Sequence, residues 1–172
     1  VVAVHCTQTV PAELTRFFAL GGRVCLCPTT EGNLGDGIAA LGPARGHLEK
    51  LCLGSDSNLR ISMLEEARWL EFAQRLRAGG RGVLRDRAGS LAPVLLEAAS
   101  AGGAAALGVA TGRIVRGAWA DFVVVDLNAA GLALSSAETL AEAIVFGCDE
   151  GVILATCVGG HWLDHRGAAN ES

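Results

Sequence analysis

Two styles of hydrophobic patterning divide the chain. Up to residue 108, short apolar runs alternate with stretches whose apolar positions recur every three to four residues, the pattern of repeated βα units around a parallel sheet. Residues 1–4 read as a strand ending at His5. The next stretch predicts a helix with Thr9 as its cap, Pro11 in its first turn, Leu14, Phe17 and Phe18 on its buried face, and a stop at Gly21 and Gly22. Residues 24–27 form a second strand and 28–37 a polar loop. Residues 37–50, interrupted by Gly42, Pro43 and Gly46, predict only an irregular helix. A third strand, 51–53, ends in Gly54-Ser55-Asp56-Ser57. Ser62 and Glu65 then make a capping box for a helix running to about Leu76. A basic, glycine-containing surface connection at 79–89 and a helix at 90–107 complete this portion.

Beyond residue 110 the pattern predicts short strands at 113–115 and 122–126, and a hairpin over 152–164 turning at Gly159-Gly160. One helix, 138–146, interrupts them. The change of style divides the chain into 1–108, built of βα units, and 109–172, a small β appendage.

At 172 residues the chain can hold one ordinary domain with a small appendage but not a complete large barrel. Hydrophobic residues make up 51% and charged residues 19%, which excludes disorder and implies a heavily buried core. The net charge of -4, without a basic block, argues against a nucleic-acid partner. No run approaches the roughly 20 apolar residues of a transmembrane helix, so no membrane partner is expected. The chain opens on Val1 without the flanks of a signal peptide, and the expectation is that it is cut from a longer one. Six cysteines without a C-x-x-C pair read as buried, reduced thiols of a cytoplasmic protein. Cys25 and Cys27 share one face of a strand, a spacing that does not by itself define a metal site.

In a parallel barrel the reactive groups sit where strands end, on the face built by the βα loops. His5 after the first run, Glu31 after the second and Asp56 after the third meet that condition and would converge on one mouth. Taken singly, each also has a plainer reading: a hydrogen-bonded histidine, a solvated loop acid, and a cap before the next helix. His47, His161 and His165 show no H-x-H or H-E-x-x-H spacing, so no self-sufficient zinc site is written in this chain.

Together, Val4-His5-Cys6-Thr7, the loop Thr30-Glu31-Gly32-Asn33-Leu34-Gly35-Asp36-Gly37 and the strand end Gly54-Ser55-Asp56-Ser57 resemble the amidohydrolase superfamily, and within it the formimidoylglutamate deiminases. The resemblance extends to 117–126 and 158–160, which look like the β-sandwich return of many amidohydrolases. It implies an α/β fold: the C-terminal part of a (β/α)8 metallo-hydrolase barrel, strands six to eight, followed by a small β-sandwich segment. It implies His5 and Asp56 as catalytic residues, Asp56 also as a ligand of one Zn2+, and Glu31 and Asn33 as substrate-binding residues. The remaining ligands, an H-x-H pair and a strand-five histidine, are expected upstream of Val1, so this chain alone is expected to bind zinc weakly. Gln8 and Asn58 stand where the family often has histidine. The implied activity is hydrolysis of a carbon–nitrogen bond of a small molecule, N-formimino-L-glutamate foremost, by a protein that is a homodimer at full length. A purine, triazine or cytosine-like substrate, or a catalytically inactive fragment, are the alternatives.

Overall fold

The computed structural model describes residues 1–164, so His165 and the end of the predicted β appendage lie outside the described residues. Strands β1 (Val2–Val4), β2 (Arg23–Leu26) and β3 (Leu51–Leu53) form a parallel sheet in that order. The register sets Val4 beside Cys25, Cys25 beside Cys52 and Leu26 beside Leu53. Val24, Leu26, Leu51 and Leu53 point to one side and join the main core. Cys25 and Cys52, at the alternate positions, point to the other.

Helix α1 (Pro11–Ala19) buries Leu14 and Phe18, with Phe17 only partly covered. Its cap is Val10, one residue later than Thr9, and the Val10 N–H is met by the Glu13 carboxylate at 3.4 Å. The polar loop expected at 28–37 is instead largely a helix, α2 (Pro28–Leu34). Pro28 pre-sets the first turn, and Gly35, with φ of 71°, closes the last by donating its N–H to Glu31 O. The following stretch forms two 3-10 turns, Gly42–Gly46 and Leu48–Lys50, because glycine and proline break any longer helix.

Helix α3 (Met63–Ala78) begins at Ser62, whose Oγ accepts the Glu65 N–H at 3.0 Å. Only half of the capping box forms, since the Glu65 carboxylate pairs with Arg60 at 2.9 Å. The surface connection expected at 79–89 dips into the interior: Leu84 is fully buried, and the Val83 and Leu84 N–H groups both donate to the buried Glu71 carboxylate at 3.1 Å. The helix expected at 90–107 is α4 (Ala92–Glu97), a π turn (Ala98–Gly102) and α5 (Gly103–Leu107). A Cβ on Gly102 would stand 2.2 Å from Leu51 O, so glycine lets this helix lie directly on β3.

No strand forms at 113–115; Arg113 O accepts the Val115 N–H in a turn, and Ile114 stands 88% exposed, with no strand paired to it among the described residues. Strands β4 (Phe122–Val125), β5 (Ile153–Val158) and β6 (His161–Asp164) make a second, antiparallel sheet. Gly159 and Gly160, both at positive φ, form the tight turn between β5 and β6. Helix α6 (Leu140–Gly147) packs on α3 and α4, burying Val145 in the main core. Arg68 of α3 fastens it by donating to Val145 O at 2.8 Å and to Cys148 O.

Candidate active site

The three parallel strands end level with one another, and their C-terminal ends carry the reactive side chains. After β1, His5 continues the ladder by donating its N–H to Cys25 O at 2.8 Å, and the chain then turns with φ of 65° at His5 and 55° at Cys6. After β3, Asp56 adopts φ of 49°. These are the three non-glycine residues at positive φ among the described residues. Such conformations cost about 1–3 kcal/mol each and concentrate at functional sites.

The turns bring His5 between two carboxylates. Its Nδ1 is 3.3 Å from Glu31 Oε1 and its Nε2 is 3.5 Å from Asp56 Oδ2. Glu31 is buried in α2 and also accepts the Cys27 N–H at 2.9 Å, closing the first turn of that helix. Burial raises the Glu31 pKa, against the lowering effect of the Cys27 N–H and His5. With Nδ1–H donating to this carboxylate, Nε2 is left unprotonated and faces Asp56. His5 is about one-third exposed and Asp56 slightly more, so both remain open to a small solute.

Helix α2 is itself held from behind. Glu66 of α3, wholly buried, accepts from the Thr29 N–H at 3.0 Å and from the Thr29 hydroxyl, while Thr30 Oγ1 donates to Ser55 O at 2.9 Å. Burial raises the Glu66 pKa as well. The Thr30 bond ties the turn bearing Glu31 to the loop bearing Asp56, and the Glu66 bonds tie it to α3.

Asn33 lies apart from the histidine–carboxylate cluster. It lines a cleft of about 450 Å³ whose other walls include Thr29, Asn58, Arg60, Glu65 and Trp69. The strand-end positions predicted from sequence, His5 and Asp56, are thus brought together. Glu31 contacts the back of the ring, and Asn33 joins the neighbouring cleft.

A residue whose spacing alone did not define a metal site completes the cluster. Cys27 Sγ, a His5 ring nitrogen and an Asp56 carboxylate oxygen all lie within 4.8 Å of one another. The Asp56 carboxylate, an oxygen donor left accessible at the strand ends, fits the single ligand to zinc that the resemblance assigns to this chain. Cys27 stands directly after β2, as His5 does after β1, and the strand-end rule itself was the signal that could have found it. The Cys27 thiol is raised in pKa by its bond to Cys25 and by burial, and Cys25 is correspondingly lowered by Cys27 and Cys52. All six thiols are free, and no helix among the described residues is long and apolar enough to cross a membrane.

Comparisons with known proteins point to a family. The chain is 38% identical over 171 residues to the formimidoylglutamate deiminase of Pseudomonas aeruginosa, covering 98% of this chain and 38% of the relative. It is 34% identical to a 5-methylthioadenosine/S-adenosylhomocysteine deaminase of Halobacterium salinarum, over 73% of this chain and 28% of that protein. Among solved structures, an amidohydrolase from Brucella melitensis superposes with a TM-score of 0.82 at 30% identity, over 96% of this chain and 37% of the other. An adenosine deaminase from Xanthomonas campestris with bound zinc gives 0.80 at 26% identity, over 98% and 39%. The chain therefore spans under two-fifths of the length of these relatives. The Amidohydrolase family model matches residues 1–163, and to that family, with its α/β metallo-hydrolase fold, this chain belongs.

Proposed function

We propose that the chain supplies part of the active site of a zinc-dependent deiminase that hydrolyses a carbon–nitrogen bond, converting N-formimino-L-glutamate and water to N-formyl-L-glutamate and ammonia. The observation that carries the reading is His5, held by Glu31 and aimed at Asp56, at the ends of parallel strands. The 38% identity to the Pseudomonas aeruginosa deiminase supports the substrate. On this reading residues 1–108 are strands six to eight of the barrel with their helices, and 109–172 the β-sandwich return, apart from α6, which packs on the barrel helices. Six free thiols fit a reducing, cytoplasmic compartment. A homodimer at full length is part of the same proposal.

Zinc, when bound, would supply a water nucleophile at neutral pH. Asp56 offers one carboxylate oxygen as a ligand, while its other oxygen takes the proton that the attacking water gives up. His5 Nε2, unprotonated while Nδ1–H faces Glu31, receives that proton from Asp56 across 3.5 Å and donates it to the imino nitrogen of the substrate. Glu31 keeps the ring in the orientation and tautomer that this requires. Asn33 and the cleft around it hold the remainder of the substrate.

The test is made in the whole protein. Asp56→Asn should abolish ammonia release from N-formimino-L-glutamate, and His5→Ala should lower kcat by about 10²- to 10⁴-fold with the metal retained. Loss of zinc from the His5 variant would overturn the division of roles. A second reading, an aminopurine substrate, is favoured by the similarity to the Halobacterium salinarum deaminase. Ammonia release from 5-methylthioadenosine but not from N-formimino-L-glutamate would establish it instead.

A further inference from the structure

Three parallel strands end beside one another in a base, a thiol and an acid: His5 after β1, Cys27 after β2 and Asp56 in the loop after β3. The proposed reaction uses the first and last and leaves the thiol idle. One donor atom from each lies within 4.8 Å of the other two. Three points so spaced share a centre no more than about 2.8 Å from each, against metal–ligand bonds of about 2.0–2.3 Å. Side-chain movements of up to about 0.8 Å would therefore close such a site about a cation.

Two features prepare these atoms for a metal. Glu31 faces His5 Nδ1 at 3.3 Å, the carboxylate–histidine pairing that leaves Nε2 free to ligate. The same Glu31 oxygen accepts the Cys27 N–H at 2.9 Å, so one buried carboxylate orients both the ring and the backbone behind the sulfur. Gly54 lies behind the thiols, where a Cβ would stand 3.3 Å from Cys25 Sγ and in ordinary contact, at 3.5 Å, with Cys27 Sγ.

The donor set decides which ion. A thiolate with an imidazole selects softer cations over magnesium and calcium, and a single carboxylate does not reverse that preference. We propose that Cys27, His5 and Asp56 form a binding site for a soft divalent cation, cadmium or excess zinc, whose occupation competes with catalysis. On binding, the Cys27 S–H bond breaks, its proton passes to solvent and the sulfur lone pair forms the bond to the cation. Binding depends on these three donors alone, whereas competition rests on the roles given above to His5 and Asp56, whose nitrogen and oxygen the cation would occupy.

The probe is Cd2+ titrated into the 172-residue chain, read by the ultraviolet sulfur-to-cadmium charge-transfer band and by X-ray absorption at the cadmium edge. The expected result is a single sulfur neighbour, with nitrogen or oxygen completing the shell. Cys27→Ser should abolish the band and weaken binding at least about tenfold, and Cys52→Ser should retain both. His5→Ala, at a partly exposed position, should weaken binding to a similar extent with the band preserved, which covers the case in which Cys27→Ser fails to fold. Absence of a band in the unaltered chain, two or more sulfur neighbours, or a band lost in Cys52→Ser but kept in Cys27→Ser would overturn the site. In the whole protein Cd2+ should inhibit turnover, less so in Cys27→Ser. Binding through one sulfur without inhibition would overturn the competition and leave the binding site standing.

Discussion

Glu71 has no part in the proposed chemistry, yet its removal tests how a segment without regular structure is held in the core. Its carboxylate is completely buried. Oε1 accepts from Arg75 Nε at 2.8 Å and from the Val83 N–H at 3.1 Å, and Oε2 accepts from the Leu84 N–H at 3.1 Å. Glu71→Ala orphans two buried backbone donors, each at about 1–3 kcal/mol, for a total of about 2–6 kcal/mol. The Arg75 contribution is small, because its side chain is 27% exposed and regains water when the partner goes. Glu71→Gln keeps one carbonyl acceptor but turns an amide N–H₂ toward the other donor, so about half of that cost is expected. Hydrogen exchange gives a local readout. The Val83 and Leu84 amides should exchange at least about tenfold faster in Glu71→Ala, the kinetic equivalent of about 1.4 kcal/mol, alongside a lower denaturation midpoint. If both amides stay as protected as in the unaltered chain, the carboxylate is not what anchors residues 83–84.

Gly102→Ala should lower Tm by a destabilisation of about 1–3 kcal/mol, because the added methyl meets Leu51 O at 2.2 Å and outweighs alanine's helix advantage of about 1 kcal/mol; a raised Tm would contradict the close approach. Glu66, raised by burial, binds its proton more tightly folded than unfolded. The stability this supplies is complete below the ordinary glutamate value of about 4.3 and lost as pH rises through the raised folded value. Glu66→Gln should therefore flatten the fall of denaturation midpoint across that window, and an unchanged slope would refute the assignment.

The parallel units were legible because Val24, Leu26, Leu51 and Leu53 form apolar runs between helices with a 3.6-residue period. Ser62 and the Gly159-Gly160 pair marked their helix start and turn for reasons internal to a few residues. Helix α2 was not legible, since Thr29, Thr30, Gly32 and Asn33 are poor helix formers; it stands on Pro28, Gly35 and the bonds that Glu31 and Glu66 make at its start. Residues 79–89 looked like surface because their glycines and arginines outnumber Val83 and Leu84, and the acceptor that draws them inward lies twelve and thirteen residues earlier. At 113–115 the reverse happened: Ile114 and Val115 suit a strand, but a strand also needs a neighbour. His5 and Asp56 stood out in the candidate site as polar residues at the ends of apolar runs. Cys27 occupies the same kind of position but was weighed only through its spacing from Cys25, because a cysteine in an apolar run reads as core.

The left-handed turns at His5, Cys6 and Asp56 bear on how this protein can change. Glycine would relax each backbone, and asparagine would sit more easily than aspartate at 56. On the roles proposed for His5 and Asp56, selection for thermal endurance alone should thus push positions 5 and 56 toward residues that disable them, whereas selection for turnover should hold them fixed while stability accumulates elsewhere. A laboratory lineage evolved only to survive heat would erode the centre at its strand ends first, and variants bred for robustness should be screened for activity at every round.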